Sequence, residues 1–114
     1  MYKCKPTKKF QSQLKRLTRL DREIKGEVLE VIEILCEGQG LPVEFNNHRL
    51  KRKLSSYYEC HIRTPMKGQR PCGVDDVLLL YRIREQPKLL IPSKIGSHDE
   101  LFSGQNKGRQ SKVK

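Results

Sequence analysis

Residues 77–83 read Val-Leu-Leu-Leu-Tyr-Arg-Ile, an apolar run of strand length, which predicts a strand at the centre of a sheet. Asp75 and Asp76 directly precede this run. A second strand is predicted over Lys88–Ile95, which contains Pro92. Because proline cannot donate a backbone hydrogen bond, Pro92 predicts either a bulge in this strand or a position at the sheet edge.

The stretch Tyr57–Arg63 predicts another strand, whose side chains alternate between two faces. One face would carry Tyr58, Cys60 and Ile62, and the other Tyr57, Glu59, His61 and Arg63. The first face is typical of a core. The second combines a phenol, a carboxylate, an imidazole and a guanidinium, which suits either a functional site or the solvated side of an antiparallel sheet.

Two amphipathic helices are predicted ahead of these strands. Thr7 is placed to cap the first, whose apolar residues recur at helical spacing: Phe10, Leu14, Leu17 and Leu20. An interruption near Asp21 separates it from a second helix, which runs to about Glu37 and ends at Gly38. The inner face of the second helix would consist of Ile24, Val28, Val31, Ile32 and Leu35. Two adjacent helices with a short joint predict a helical hairpin.

The order of these elements predicts an α+β fold, a helical hairpin on a small, mostly antiparallel sheet of three or four strands. Residues 1–5 are a candidate for the fourth strand. Residues 64–74, rich in Pro, Gly, Lys and Arg, predict a long hairpin loop. Residues 1–102 would form a single domain. Residues 103–114 hold four basic residues, no acid and almost nothing to bury, which predicts a disordered tail.

The composition favours a polyanionic partner. Lys and Arg number 24 against 13 Asp and Glu, for a net charge of +11, and such an excess favours nucleic acid through phosphate neutralisation. The four cysteines form no Cys-x-x-Cys pair, which argues against a zinc ribbon and a redox motif. No apolar run approaches the roughly 20 residues of a membrane span, and the start is no signal peptide. We therefore expect a cytoplasmic protein with no membrane partner.

The three histidines, His48, His61 and His98, lie in loops or near predicted strand ends. Histidine is the natural acid or base near neutral pH, and RNA carries its own nucleophile in the 2′-hydroxyl. Together with Asp76 and nearby cations, these histidines could cleave RNA without a metal. Their spacing matches no familiar metal cluster. The basic residues after His48 suit single-stranded RNA; they are Arg49, Lys51, Arg52 and Lys53.

An ordered series of motifs resembles a known family. The motifs are Leu41-Pro42, His48-x-Leu50, Tyr58-Glu59-Cys60-His61-Ile62, Asp76-x-Leu78-Leu79-x-Tyr81-Arg82-Ile83 and Gly96-Ser97-His98-x-Glu100-Leu101-Phe102. In this order they resemble the YafQ branch of the RelE-type toxins of bacterial type II toxin-antitoxin pairs. The likeness runs from Tyr2 to Phe102. Three departures are Val77, where the branch commonly has an aromatic residue, a longer stretch over 64–74, and Pro92 inside the last strand.

The resemblance implies a RelE-like fold and a metal-independent endoribonuclease without cofactor. Such toxins cleave mRNA in the ribosomal A site, contact ribosomal RNA and bind an acidic antitoxin. The family's functional positions correspond here to His48, His61, Asp76, His98 and Phe102. By analogy, His98 would be the general acid, and His61, His48 and Asp76 would share the base and phosphate-positioning roles.

The predicted RNA-binding residues are Phe102, Arg49, Lys51, Arg52, Lys53, Arg63 and Arg82. Phe102 would shape the contact to a base, and the cations would hold phosphates. Two alternatives remain open at this point. One is a non-enzymatic protein on the same scaffold that binds RNA, the ribosome or an antitoxin. The other is a gyrase-directed toxin of the ParE type.

Overall fold

The computed structural model describes residues 1–38, 40–41, 45, 47–51, 54–65 and 74–102. The helices are α1 (Lys8–Leu20), α2 (Glu23–Cys36) and a short α3 over residues 98–102. The strands are β1 (Lys3–Cys4), β2 (His48–Arg49), β3 (Tyr58–Arg63), β4 (Val77–Glu85) and β5 (Lys88–Gly96). No helix in the described ranges is long and apolar enough to cross a membrane.

The strands form one mixed sheet in the order β1-β5-β4-β3-β2. β1 runs parallel to β5, and the other neighbours are antiparallel. The α+β class is confirmed, but the described part of the chain has five strands rather than three or four, and a third helix. The difference has a physical reason, since β1 and β2 are two residues long and too short to show a periodic pattern.

The helix ends follow local capping chemistry. The hydroxyl of Thr7 accepts the backbone N–H of Phe10 at 3.1 Å, which confirms the predicted cap. Only Asp21 and Arg22 separate α1 from α2. Gly38 follows α2 with a φ of 79°, in the left-handed region that favours glycine at a helix end.

The inner faces of both helices pack on one face of the sheet, hereafter the helix face. All five residues predicted for α2 are buried, as are Phe10, Leu14 and Leu17 of α1. Leu20 is 61% exposed, so its predicted burial is wrong; it is the last residue of α1. The sheet's contribution to this core includes Cys60, Val77, Leu79, Tyr81, Leu90 and Ile95.

The central strand is β4, as predicted, and it is buried on both faces. Val77, Leu79 and Tyr81 belong to the core under the helices. Leu78 and Leu80 alternate with them and are also buried, which places them on the opposite face of the sheet. This opposite face is hereafter the open face.

A bulge lies where β5 contains Pro92. Tyr81 pairs with Pro92, but its neighbour Leu80 pairs with Lys94, so Ser93 is an extra residue on β5. This confirms the predicted bulge. β5 lies between β1 and β4 and is not an edge strand. Beyond the bulge, the alternation of β5 is shifted by one residue.

A second bulge lies in β3, where the register shifts between His61 and Arg63. It places Arg63 opposite Val77 and turns its side chain to the helix face. There, Arg63 donates to both carboxylate oxygens of Glu27, to Asp21 Oδ2 and to the carbonyl of Val74, each at 2.8 Å. The prediction that Arg63 shares a face with His61 is therefore wrong, because the strand does not alternate regularly through its end.

Several predictions fall outside the described residues. The loop predicted over 64–74 lies mostly there, since residues 66–73 are not described. The tail over 103–114, Arg52 and Lys53 also lie outside.

Arg63→Gln is expected to lower the free energy of unfolding by about 1–2 kcal/mol at neutral pH. The substitution removes the hydrogen bonds from the guanidinium to the carboxylates of Glu27 and Asp21, which are partly exposed to solvent. The hydrogen bond from Arg63 lowers the pKa of the Asp21 carboxyl. The ion pair therefore stabilises the fold above the unfolded Asp pKa of about 3.9, and this contribution disappears as pH falls through the lower, folded value.

Urea unfolding of wild type and variant at neutral pH and below about pH 3 measures this difference. Arg84→Gln is the matched control, since Arg84 is exposed and its loss should leave stability nearly unchanged. An undiminished difference at the acid pH would contradict the assignment to the carboxylates.

Candidate functional site

Asp76 fixes the start of α3. The residue directly precedes β4, and its side chain is only 3% exposed. Its Oδ2 accepts the backbone N–H of His98 at 2.9 Å, and its Oδ1 lies 2.9 Å from His98 Nδ1. One buried carboxylate thus sets both the backbone position and the ring orientation of His98.

Glu59 connects the other two histidines. It lies on the open face of β3, with a side chain that is 7% exposed. Its Oε1 is 3.1 Å from Nε2 of His48 and 3.4 Å from Nε2 of His61. A single carboxylate oxygen is therefore within reach of both imidazoles.

His48 reaches Glu59 because β2 is attached to the edge of β3. His48 is the register partner of Glu59, and the backbone N–H of Leu50 donates to the Tyr57 carbonyl at 2.9 Å. The Tyr81 hydroxyl donates to Asn47 Oδ1 at 2.6 Å, next to His48. Burial raises the pKa of Tyr81, so its phenol stays protonated and able to donate at neutral pH.

The two halves of the site meet at His61 and His98. Their ring centroids are 5.4 Å apart in an edge-on arrangement, and the Phe102 ring lies 6.3 Å from that of His98. We call this group the histidine cluster: His48, Glu59, His61, Asp76, His98 and Phe102. The side chain of His98 is 53% exposed, so the cluster is open to solvent. All five positions implied by the family resemblance lie in it.

The strand register adds Lys94 to the surroundings of the cluster. Glu59 pairs with Leu80 on one side, and Lys94 pairs with Leu80 on the other. Paired residues of neighbouring strands share a face, so Lys94 lies on the open face, across Leu80 from Glu59. Buried Leu78 and Leu80 form the apolar floor between β3 and β5.

The predicted RNA-binding cations lie at different places. Arg82 is exposed and lies 5.7 Å from the centre of the Tyr57 ring, and Lys51 is also exposed. Arg49 pairs with Tyr58 on the helix face, where its guanidinium lies 5.7 Å from the Tyr58 ring and donates to the Ser55 carbonyl. Arg63 binds α2, as described above. Arg49 and Arg63 are therefore not brought to the cluster.

Two residues of the site, Glu59 and Lys94, are not among the functional residues predicted from the sequence. The alternation of residues 57–63 places Glu59 on the polar face of the predicted strand, but no catalytic or binding role was predicted for it. Lys94 could not be placed, because its face depends on the bulge at Ser93. Val77 belongs to the helix face, so this position does not line the cluster in this chain.

The arrangement supports two kinds of chemistry. Imidazoles held by carboxylates are suited to proton transfer, as acid or as base. Glu59, His61 and His98 also each offer one donor atom, and these atoms all lie within 4.8 Å of one another. The sequence spacing did not indicate this group, because its members come from β3 and α3.

Comparison with known proteins identifies the family. The family model described as "Bacterial toxin of type II toxin-antitoxin system, YafQ" matches residues 2–103. The chain belongs to the YafQ toxin family. The resemblance seen in the sequence motifs is thereby confirmed. A search of curated proteins finds no match.

Solved structures give the same result. The chain is similar to a metal-bound toxin from Helicobacter pylori, with 31% identity and a TM-score of 0.73, over 90% of this chain and 100% of the other. A copper-bound mutant toxin from the same organism has 33% identity, a TM-score of 0.70 and the same coverage. The E. coli DinJ-YafQ complex, at 19% identity, TM-score 0.70 and coverage of 90% and 99%, shares the fold with this YafQ family member.

Asp76→Asn is expected to lower the free energy of unfolding by about 1–2 kcal/mol, because the buried hydrogen bonds to His98 lose their charge. The amide proton of His98 should shift upfield in the NMR spectrum as its bond to a carboxylate is replaced. Asp99→Asn is the matched control on the exposed side of α3 and should change neither quantity appreciably. An unchanged His98 amide in Asp76→Asn would refute the contact.

Proposed function

We propose that this YafQ family toxin is a ribosome-dependent mRNA endoribonuclease that uses acid-base chemistry without a metal. The observation that carries the proposal is the pairing of two carboxylate-held imidazole groups on one open face. Glu59 holds His48 and His61, Asp76 holds His98, and the His61 and His98 rings are 5.4 Å apart. Acid-base cleavage needs a base near the attacking oxygen and an acid near the leaving oxygen of the same phosphate. Two imidazole groups that lie this close together meet that need.

In the proposed reaction, one of the two imidazoles held by Glu59, that of His48 or that of His61, acts as the base. It removes the proton from the 2′-hydroxyl of the mRNA. The 2′-oxygen attacks the adjacent phosphorus, and the bond from phosphorus to the 5′-oxygen breaks. His98 donates a proton to that leaving oxygen. The products are a 2′,3′-cyclic phosphate and a free 5′-hydroxyl, so atoms and protons balance without another reactant.

The surroundings of the cluster support phosphate and base binding. Lys94, across Leu80 from Glu59, supplies a positive charge for the phosphate as negative charge develops on it. Arg82 on the same face provides a second cation along the RNA. Phe102, beside His98, offers a ring on which an unpaired base can stack.

The proposed partners are mRNA in the ribosomal A site, ribosomal RNA and an acidic antitoxin. The net charge of +11 supports both kinds of partner, because it favours polyanions and acidic proteins. The E. coli relative was solved as a complex, DinJ-YafQ, which supports an antitoxin partner.

His98→Ala should lower the rate of mRNA cleavage on translating ribosomes by about 10²–10⁴, the usual effect of removing a general acid. Single-turnover cleavage of a defined mRNA, with the product ends identified, measures this effect. Ribosome binding by the variant should be retained. Equal cleavage by both proteins would reject the role of His98.

Absence of cleavage by the wild type would reject the enzymatic proposal itself. Growth arrest that persists in His98→Ala would then point to a binding protein without catalysis. Inhibition of gyrase by the purified protein would support the ParE-type alternative.

Metal binding is a second candidate property of the same cluster. Two imidazole nitrogens and a carboxylate oxygen from Glu59, His61 and His98 suit Cu²⁺ or Zn²⁺, and relatives at 31% and 33% identity were solved as metal-bound toxins. We propose that such an ion would occupy the nitrogens needed for proton transfer. Metal binding would then inhibit cleavage rather than assist it.

Titration calorimetry with Cu²⁺ should give one site per chain, and its affinity should fall as pH falls, because protons compete for the imidazoles. His61→Asn should abolish the site. His48→Asn, the same change outside the three-ligand group, should keep it. Equal affinity of both variants would disprove this ligand set.

A further inference from the structure

Helix α1 holds the segment of chain that leads to His98. Thr7, its cap, donates its backbone N–H to the Pro92 carbonyl at 3.0 Å and its hydroxyl to the Ser93 carbonyl at 2.9 Å. Six residues further along the helix, Gln13 Oε1 accepts the backbone N–H of Ile95 at 2.9 Å. The helix thus contacts β5 at successive points along its last half, up to the start of α3.

Arg16 extends this series to α3 itself. It lies three residues after Gln13, on the neighbouring turn of α1, and its Nη2 forms an ion pair with Glu100 Oε2. Both side chains are partly exposed. Glu100 is in the first turn of α3, two residues after His98. The ion pair therefore links α1 to the element that carries His98 and Phe102.

Glu100 has a second function, through its other oxygen. Its Oε1 accepts the backbone N–H of Ser97 at 3.0 Å, and the Ser97 hydroxyl accepts the Glu100 N–H at 3.1 Å. This reciprocal pair is a capping box at the start of α3. A Cβ on Gly96 would lie 2.8 Å from Glu100 Oε1, so glycine leaves the room that this carboxylate occupies.

α3 needs such support because it has only five residues, too few for a helix that is stable by itself in water. Asp76 holds its first residue from one side, and Glu100 with Arg16 holds its first turn from the other. His98 and Phe102 are four residues apart and so lie on the same side of α3. A small rotation of α3 would displace both from His61.

We propose that Arg16 is a positioning residue for His98 and Phe102, and that it acts through Glu100. The inference rests on the proposed function for its effect on cleavage, but its structural part can be measured in the free protein. Exposed ion pairs contribute little to global stability. The effect is therefore expected in the local opening of α3 and in the rate of the chemical step.

The test compares Arg16→Gln, Glu100→Gln and the double variant. Gln at position 100 keeps an oxygen that can accept the Ser97 N–H, so the capping box stays intact in Glu100→Gln. Each single variant therefore removes the ion pair and leaves the cap in place. The Leu101 N–H, which donates to the Ser97 carbonyl at 3.0 Å, should exchange with solvent about threefold faster in each. On ribosomes, kcat should fall by about threefold to tenfold with an unchanged KM, and the double variant should equal the single ones.

Arg19→Gln is the matched control. It removes the same charge from the same exposed side of α1, and Arg19 has no hydrogen bond or ion pair within the described ranges. Leu101 exchange and kcat should match the wild type in this variant.

The inference would be overturned if the Leu101 amide of Arg16→Gln exchanged at the wild-type rate. It would also be overturned if Arg19→Gln changed Leu101 exchange and kcat as much as Arg16→Gln does. A third contradicting result would be faster Leu101 exchange in Arg16→Gln with an unchanged kcat. A loss expressed in KM alone would assign Arg16 to RNA binding instead. Failure of the proposed function gives a different result, since the wild type itself would then not cleave. The exchange data would in that case still decide whether Arg16 holds α3.

Discussion

The rest of the structure depends on burial of β4 on both of its faces. Val77, Leu79 and Tyr81 pack under α1 and α2, and Leu78 and Leu80 form the floor beneath the histidine cluster. One strand therefore belongs to the core and supports the site. Val77, Leu78, Leu79 and Leu80 are buried. A polar side chain at any of these four positions would cost free energy unless it found a hydrogen-bond partner, which fits the apolar character of this stretch.

Much of the fold could be predicted from periodic patterns. The helical repeat identified α1 and α2, and the central position of β4 followed from its apolar run. The pattern failed where regular geometry ends: at Arg63, where a bulge reverses the face, at Leu20 on the last turn of α1, and in two-residue strands. These features depend on tertiary pairing, which a local pattern does not contain.

The site was predictable in its chemistry more than in its geometry. Histidines and Asp76 were found because few residue types transfer protons near neutral pH, and the family resemblance gave their order. Glu59 and Lys94 depend on strand register, and the link from Arg16 to Glu100 joins residues 84 positions apart. Such contacts between distant segments follow only from the assembled sheet and helices.

The sharing of one Glu59 oxygen by two imidazoles has a consequence for how the site can be taken apart. Loss of the Glu59 carboxylate would release His48 and His61 together, because both rings lie within reach of the same oxygen. His98 would keep its own carboxylate, since Asp76 Oδ1 lies 2.9 Å from its Nδ1. The cluster therefore consists of two units that can be disrupted one at a time, one held by Glu59 and one held by Asp76.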